Sequence, residues 1–309
     1  MPEMPVSTHS DSNGTTGPTQ VTPSLLRDWP LPAPGEDKYS RGAVLVIGGA
    51  RTTPGATILA GIAALRAGAG KMTLAVAESV AVQVGVAFPE CGAVGLPETA
   101  DGSVTGEGLD LISRYLERAD AVLVGPGLDD SDLAGELLTR LLEREELRDG
   151  PAVVLDAYAL GGLVKIKDKL EPWRGRLILT PNPTEAGVLL GRDVNNLETD
   201  VAAVAEQYGA VVSCQGVIAR PSGEGPGDPE LWKITTGYGG LGTSGSGDVL
   251  AGAITGLRAR GTSGAQAACW GTHLHAAAAD RLASKLGPLG FLARELADEL
   301  PALMLELNT

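Results

Sequence analysis

Thr243-Ser244-Gly245-Ser246-Gly247-Asp248 joins a flexible glycine turn to a helix start and sets one carboxylate at the junction. Val249, Leu250, Ala253, Ile254 and Leu257 then recur at helical spacing until Gly261, so Gly245, Ser246 and Gly247 stand at a helix N-terminus. The first amides of a helix have no intrahelical partner, and the macrodipole there favours anions. Glycine leaves the backbone open to a phosphate oxygen and tolerates a positive φ. An aspartate in such a place repels the phosphate that the loop attracts, unless it takes the proton from a hydroxyl attacking that phosphate. Asp248 is therefore the expected general base of a phosphoryl transfer, which is mostly positioning plus electrostatics. The plain alternative is a first-turn carboxylate complementing the dipole.

Other turns carry chemistry of the same kind. In Thr180-Pro181-Asn182-Pro183-Thr184-Glu185, an amide oxygen and a carboxylate stand three residues apart. Mg²⁺ keeps several waters and takes one or two carboxylates plus substrate phosphates, so Glu185 is a candidate ligand acting through water. The alternative makes Thr184 a helix cap and Glu185 a first-turn carboxylate. Gly125-Pro126-Gly127 leaves bare backbone after an aliphatic run, for a substrate or for a plain tight turn. Asp156 ends another such run, facing a site or capping the segment from Tyr158. Gly68-Ala69-Gly70-Lys71 is no P-loop, because Leu65 holds the first glycine position and Met72 the Ser/Thr position. His273 and His275 are two apart and face different ways on a helix, and His9 is the one other histidine, so a histidine zinc site is excluded.

Short aliphatic runs alternating with helix-period segments must position these turns. Val44 to Ile47, Met72 to Val76, Ala121 to Val124, Val153 to Leu155, Leu177 to Leu179 and Ala210 to Ser213 read as buried strands. A helix after Pro54-Gly55 carries Ile58, Leu59, Ile62 and Leu65 on one face, and Ala265 to Leu286 and Phe291 to Leu305 read as terminal packing helices. The pattern is α/β, a mostly parallel central sheet with helices on both faces, and ligands gather at strand C-terminal ends in such sheets. Residues 1–23 read as a disordered tail and 24–309 as one domain.

Forty-three glycines among 309 residues imply close backbone packing of helices on the sheet. A net charge of −14 argues against a nucleic-acid surface. No secretory signal and no apolar run of ~18 or more residues is visible. Three scattered cysteines, Cys91, Cys214 and Cys269, fit a reducing compartment, so a cytoplasmic protein is expected.

Further segments, in order, make the chain resemble the ADP- or ATP-dependent NAD(P)H-hydrate dehydratases of the ribokinase-like superfamily. They are Arg41 to Gly49, Pro54-Gly55-Ala56, Ala63 to Gly70, Val124 to Leu128, Val154 to Leu160, Thr180 to Glu185, Gly242 to Gly252, and Leu274-His275-Ala276 through Asp280. The resemblance implies a ribokinase-like fold and phosphorylation of the ring hydroxyl of a hydrated nicotinamide cofactor by ADP or ATP with Mg²⁺. Elimination of phosphate then restores NADH or NADPH. It further implies that Ala56, Gly127, Asn182 and Asp248 face the hydrate. Gln215, Gly216, Val217, Ile218, Ala219, Gly245, Ser246 and Gly247 would serve the nucleotide. A homo-oligomer is expected, and the epimerase domain that some relatives carry is expected elsewhere. Gln215 replaces the family's lysine, Tyr158 an aspartate, Tyr238 an asparagine and Asn182 a histidine. Two other readings stay open: a kinase for a vitamin-precursor or sugar alcohol, whose superfamily pattern Asn182 and Glu185 approach, and a catalytically silent nucleotide-binding protein.

Overall fold

The protein is described by a computed structural model over residues 17–223, 230–237 and 239–308. The chain enters through strand β1 (Thr19–Val21) and helix α1 (Pro23–Asp28), then alternates β2 (Ala43–Ile47), α2 (Gly55–Arg66), β3 (Lys71–Ala77), α3 (Ala81–Ala87) and β4 (Gly92–Leu96). It continues with α4 (Ser113–Leu116), β5 (Ala121–Val124), α5 (Ser131–Leu142), β6 (Ala152–Leu155), α6 (Tyr158–Leu163), β7 (Leu177–Leu179), α7 (Pro183–Leu190) and α8 (Leu197–Tyr208). A hairpin of β8 (Val211–Cys214) and β9 (Val217–Ala219) precedes β10 (Leu231–Ile234), and α9 (Ser246–Ala259), α10 (Gly264–Leu286) and α11 (Ala293–Asn308) close the fold.

These strands form one sheet in the order β1-β10-β9-β8-β7-β6-β5-β2-β3-β4. Every described pairing is parallel except those of β9, which runs against β8 and β10. Because side chains alternate across a strand, Val44 and Val46 enter one core while Leu45 and Ile47 enter the other. The first core is covered chiefly by α2, α9, α10 and α11, the second by α5 to α8. The anticipated strands are present with shifts of at most one residue at an end.

Two expectations need correction. The tail expected through residue 23 ends earlier, for Thr19, Gln20 and Val21 pair in parallel with Trp232, Lys233 and Ile234. Thr22 then caps α1 by accepting the Leu25 N–H at 3.2 Å. Residues 1–16 lie outside the described ones. In α2 the buried positions are Thr57, Ala60, Gly61, Ala63 and Ala64, and the aliphatic stripe of Ile58, Leu59, Ile62 and Leu65 is only partly buried.

The cause is a close backbone contact. A Cβ placed on Gly252 would fall 2.1 Å from the Ala60 carbonyl oxygen, and one on Gly256 would fall 2.4 Å from that of Ala64. Small residues must therefore face each other, and α2 and α9 run parallel in a register that repeats every four residues.

Candidate active site

One more step of that register, back toward the N-termini, leads from Ala60 and Gly252 to Ala56 and Asp248. Both helix starts thus point to the same place, and neither has a side-chain cap. Gly245 adopts φ +87°, and a Cβ there would meet Leu59 Cδ1 at 2.5 Å and Asp248 Oδ2 at 3.8 Å. The Asp248 carboxylate therefore folds back over its own turn. Gly247 is exposed, with open space where a side chain would stand. Of the loop amides, Ser246 N–H donates to Thr243 O at 3.2 Å, which leaves those of Gly245 and Gly247 without a partner among the described residues.

Ends of the parallel strands complete the floor. Gly49 N–H donates to Pro126 O at 2.8 Å, Ala50 N–H to Gly127 O at 2.7 Å, and the Thr53 hydroxyl to the same Gly127 oxygen at 2.9 Å. Gly127 has φ +73°, and a Cβ on it would lie 2.3 Å from Thr53 O and 3.2 Å from the Ala56 methyl. Ala56 and Gly127 are thus brought together. On the neighbouring strand, Asp156 is buried and accepts the Thr180 hydroxyl at 2.8 Å, so it does not cap α6.

Three carboxyl groups share this field. Burial pushes Asp248 up to about 6. Burial also pushes Asp156 up to about 7, helped by the Asp248 and Glu185 charges and opposed by the Thr180 hydrogen bond. Glu185 is raised by burial against the pull of the Asn182 N–H. A carboxyl whose folded value exceeds its unfolded 3.8 contributes stability at low pH and loses it as pH rises through about 7. Asp156→Asn keeps an acceptor for Thr180 and removes that loss. Urea unfolding is expected to show little difference between variant and parent near pH 3.5, a variant more stable by about 1–2 kcal/mol at pH 5 and by a few kcal/mol at pH 8; parallel stability curves would refute the buried-charge assignment.

Ala157, next in the chain, is held at φ +51° and ψ −130°, a conformation that favours glycine. Ala157→Gly is expected to raise stability by about 1 kcal/mol, strain relief exceeding the entropy that glycine loses, as read from the urea midpoint.

Asn182, not Thr184, caps α7. Its Oδ1 accepts Glu185 N–H at 2.9 Å while Glu185 Oε2 accepts Asn182 N–H at 2.8 Å, a reciprocal capping box. The exposed Asn182 keeps its amide NH₂ for a ligand. Glu185 keeps Oε1, and its carboxyl is partly desolvated among like charges. That donor set suits a cation held through water rather than a closed cage, and no group of three or more His, Cys, Asp or Glu arranged to hold a metal ion directly occurs among the described residues.

Gln215 and Gly216 form the two-residue turn between β8 and β9, at φ +47° and +84°. Gln215 is exposed, so this end of the expected nucleotide segment is accessible. Val217, Ile218 and Ala219 are not: they are buried and paired along both edges of β9, so their side chains and ladder groups serve the sheet. Tyr238 lies outside the described residues.

The residues missed in the sequence sit on α10. His275 is buried, and its Nε2 lies 3.0 Å from the Ser246 hydroxyl at the start of α9. Burial lowers it to about 4, so the imidazole is neutral near pH 7. One turn earlier, the Thr272 hydroxyl meets that of Ser213 on β8 at 2.8 Å. Helix α10 thereby fastens the glycine loop and the Gln215 hairpin to one rigid element. Spacing alone carries no trace of such pairs, 29 and 59 residues apart.

With this geometry in view, the comparisons with known proteins decide the family. The NAD(P)H-hydrate dehydratase family model matches residues 44–302. The chain belongs to that family. An ADP-dependent (S)-NAD(P)H-hydrate dehydratase of Xanthomonas campestris pv. campestris is 40% identical over 94% of this chain and 98% of its own length. A bifunctional NAD(P)H-hydrate repair enzyme of Moorella thermoacetica is 37% identical over 86% of this chain, which spans 50% of that protein. In structure, an ADP/ATP-dependent NAD(P)H-hydrate dehydratase of Bacillus subtilis, co-crystallized with ATP/Mg²⁺, superposes with a TM-score of 0.72 at 26% identity, covering 95% of this chain and 100% of that one. Dehydratase family members thus share the architecture of a mostly parallel sheet with helices on both faces.

Proposed function

We infer that the protein dehydrates hydrated NAD(P)H at the expense of ADP or ATP, through a phosphorylated intermediate. The observation that carries this reading is the small-residue contact of α2 on α9, Ala60 against Gly252 and Ala64 against Gly256, a register that leads to Ala56 and Asp248 at the two helix starts. The hydrate lies over Ala56 and Gly127, its ring hydroxyl toward Asp248, with the Asn182 amide as a further donor. The nucleotide's terminal phosphate lies on the Gly245 and Gly247 amides of the Gly245-Ser246-Gly247 loop, and its remainder extends toward Gln215 and Gly216.

Hydroxide is a poor leaving group, and phosphate is a good one. Asp248 takes the hydroxyl proton as that oxygen bonds to the terminal phosphorus and the bond to the bridging oxygen breaks. The loop amides hold the charge on the transferring group. The ring nitrogen's electron pair then expels phosphate, and loss of a proton from the adjacent carbon restores the reduced nicotinamide. Mg²⁺, when bound through water at Glu185, supplies charge neutralisation for the phosphates. Its presence is also consistent with three carboxyl groups raised by burial, Asp156 additionally by the charges of the other two.

The decisive assay supplies purified hydrate with ADP or ATP and follows the absorbance of the reduced nicotinamide. Recovery with release of phosphate is expected. No recovery, with phosphate moved instead to a thiazole or pyrimidine alcohol, would establish the kinase reading. On the same reading the enzyme is a homo-oligomer of the cytoplasm, a reducing compartment that three free cysteines support. Among the described residues, no helix is long and apolar enough to cross a membrane.

A further inference from the structure

On the face of α10 turned away from the glycine loop lies a cavity of about 370 Å³, lined by the ends of β1 and β10, by α1 and by α11. Its apolar part is made by Val21, Pro23, Ala277, Leu303 and Leu307. Its polar part is rich in donors. His273 lines it at 6% exposure, and neither ring nitrogen has a hydrogen-bond partner among the described residues; Nδ1 is fully buried without one. Burial lowers the imidazole's proton affinity, so it is neutral, one nitrogen donating and the other accepting.

Thr22 has spent its oxygen on the Leu25 N–H, leaving its hydroxyl proton to give. Thr235 adds a second hydroxyl and Arg27 a guanidinium, and Arg27 makes no ion pair with the described residues. The other hydroxyl, Thr236, is engaged by Asp280. The acid on the rim, Glu306, is engaged by Arg281 at 2.5 Å.

Nε2, which has no partner among the described residues, is the ring nitrogen left for an occupant of the cavity, Nδ1 being closed off from it. An apolar floor with unspent donors and one unpaired cation fits an acceptor-bearing anion on an apolar body. We propose that this cavity is a second small-molecule site, separate from the dehydration site, which takes an organic acid with its carboxylate at Arg27, Thr22, Thr235 and His273 and its apolar body against Leu303 and Leu307. The two sites lie on opposite faces of one helix, His273 and His275 being two residues apart. Thr236 and Gly237, which lead into the glycine loop, are bonded to Asp280 of that same helix. None of the groups invoked belongs to the dehydration machinery, so this inference stands or falls apart from it.

The experiment titrates the full-length protein, saturated with ADP so that the glycine loop is filled, with octanoate as the acid probe and 1-octanol as its uncharged twin. Calorimetry is expected to give one octanoate site per chain, with octanol at least about tenfold weaker, as befits loss of a charge-assisted contact. Arg27→Gln should weaken octanoate by a similar factor. Ala277→Leu, which fills the cavity with no polar change, should abolish binding while ADP affinity shows the variant to be folded. In the parent, nitrogen-15 shifts of His273 should move on addition of octanoate while those of His275 stay. Equal binding of octanoate and octanol, or octanoate binding that both variants leave intact, would overturn the proposal.

Discussion

Asp248→Asn is expected to lower kcat for hydrate dehydration by roughly 10³-fold, within the range of about 10²–10⁴ that a positioned base contributes. The substitution keeps the shape of the side chain, and the amide loop that grips phosphate is backbone. ADP affinity by calorimetry should therefore change little, and the loss should appear in kcat rather than in nucleotide binding. The pH profile offers a second check. In the parent the carboxylate must be ionised to accept a proton, and burial raises it to about 6. log(kcat/KM) should therefore fall with a slope of one as pH drops below about 6 and be flat above it, a limb that the asparagine variant should lack. Asp156 titrates near 7 beside it. Asp156 is therefore largely protonated and neutral through the Asp248 limb, and burial alone raises Asp248, so an Asp156→Asn background should leave the limb in place. An asparagine variant with the parent's turnover would leave Asp248 as a helix-start carboxylate and nothing more.

Much of this site is written locally. Gly245, Ser246, Gly247 and Asp248 could be placed because a glycine turn and the following apolar spacing are contained in a dozen neighbouring residues. The strands that carry Gly127, Asp156 and Asn182 were equally plain, since both faces of a parallel sheet are buried and each strand reads as an unbroken aliphatic run.

Legibility fails where the cause is distant in sequence. The Ile58, Leu59, Ile62 and Leu65 stripe suggested the inner face of α2, yet Ala60 and Ala64 are inside because Gly252 and Gly256 meet them from almost two hundred residues away. The His275 to Ser246 contact joins two helices whose relation only the fold supplies. Val217 to Ala219 matched a nucleotide segment by resemblance, but an interior strand has its amides and carbonyls already engaged. Asn182 was weighed beside a metal pair and a Thr184 cap. The capping box shows how one short motif can serve the helix and still leave the Asn182 NH₂ and Glu185 Oε1 facing the site.

Gly252→Val should be the most damaging single change in the scaffold, although it alters no group that touches substrate. Its first side-chain carbon would stand 2.1 Å from the Ala60 carbonyl oxygen and 2.7 Å from the Ala60 Cα, both of them backbone, so no rotamer change relieves the clash. The two helices must part. A loss of at least about 3 kcal/mol is expected, at the upper end of overpacking costs, because parting also opens the small-residue contact at Ala64 and Gly256. For a domain of nearly 300 residues that is a fall of at least roughly 5 °C in Tm. Gly247→Ala is the matched control, since an added methyl there meets nothing within 4 Å; its Tm should stay within about 2 °C of the parent. The two glycines stand five positions apart on one helix, so propensity alone predicts similar modest effects for both. A parent-like Tm for Gly252→Val would mean that α2 and α9 are not in backbone contact. The register that leads to Ala56 and Asp248 would then lose its foundation, because the distance between the two helix starts is fixed by what lies between their middles.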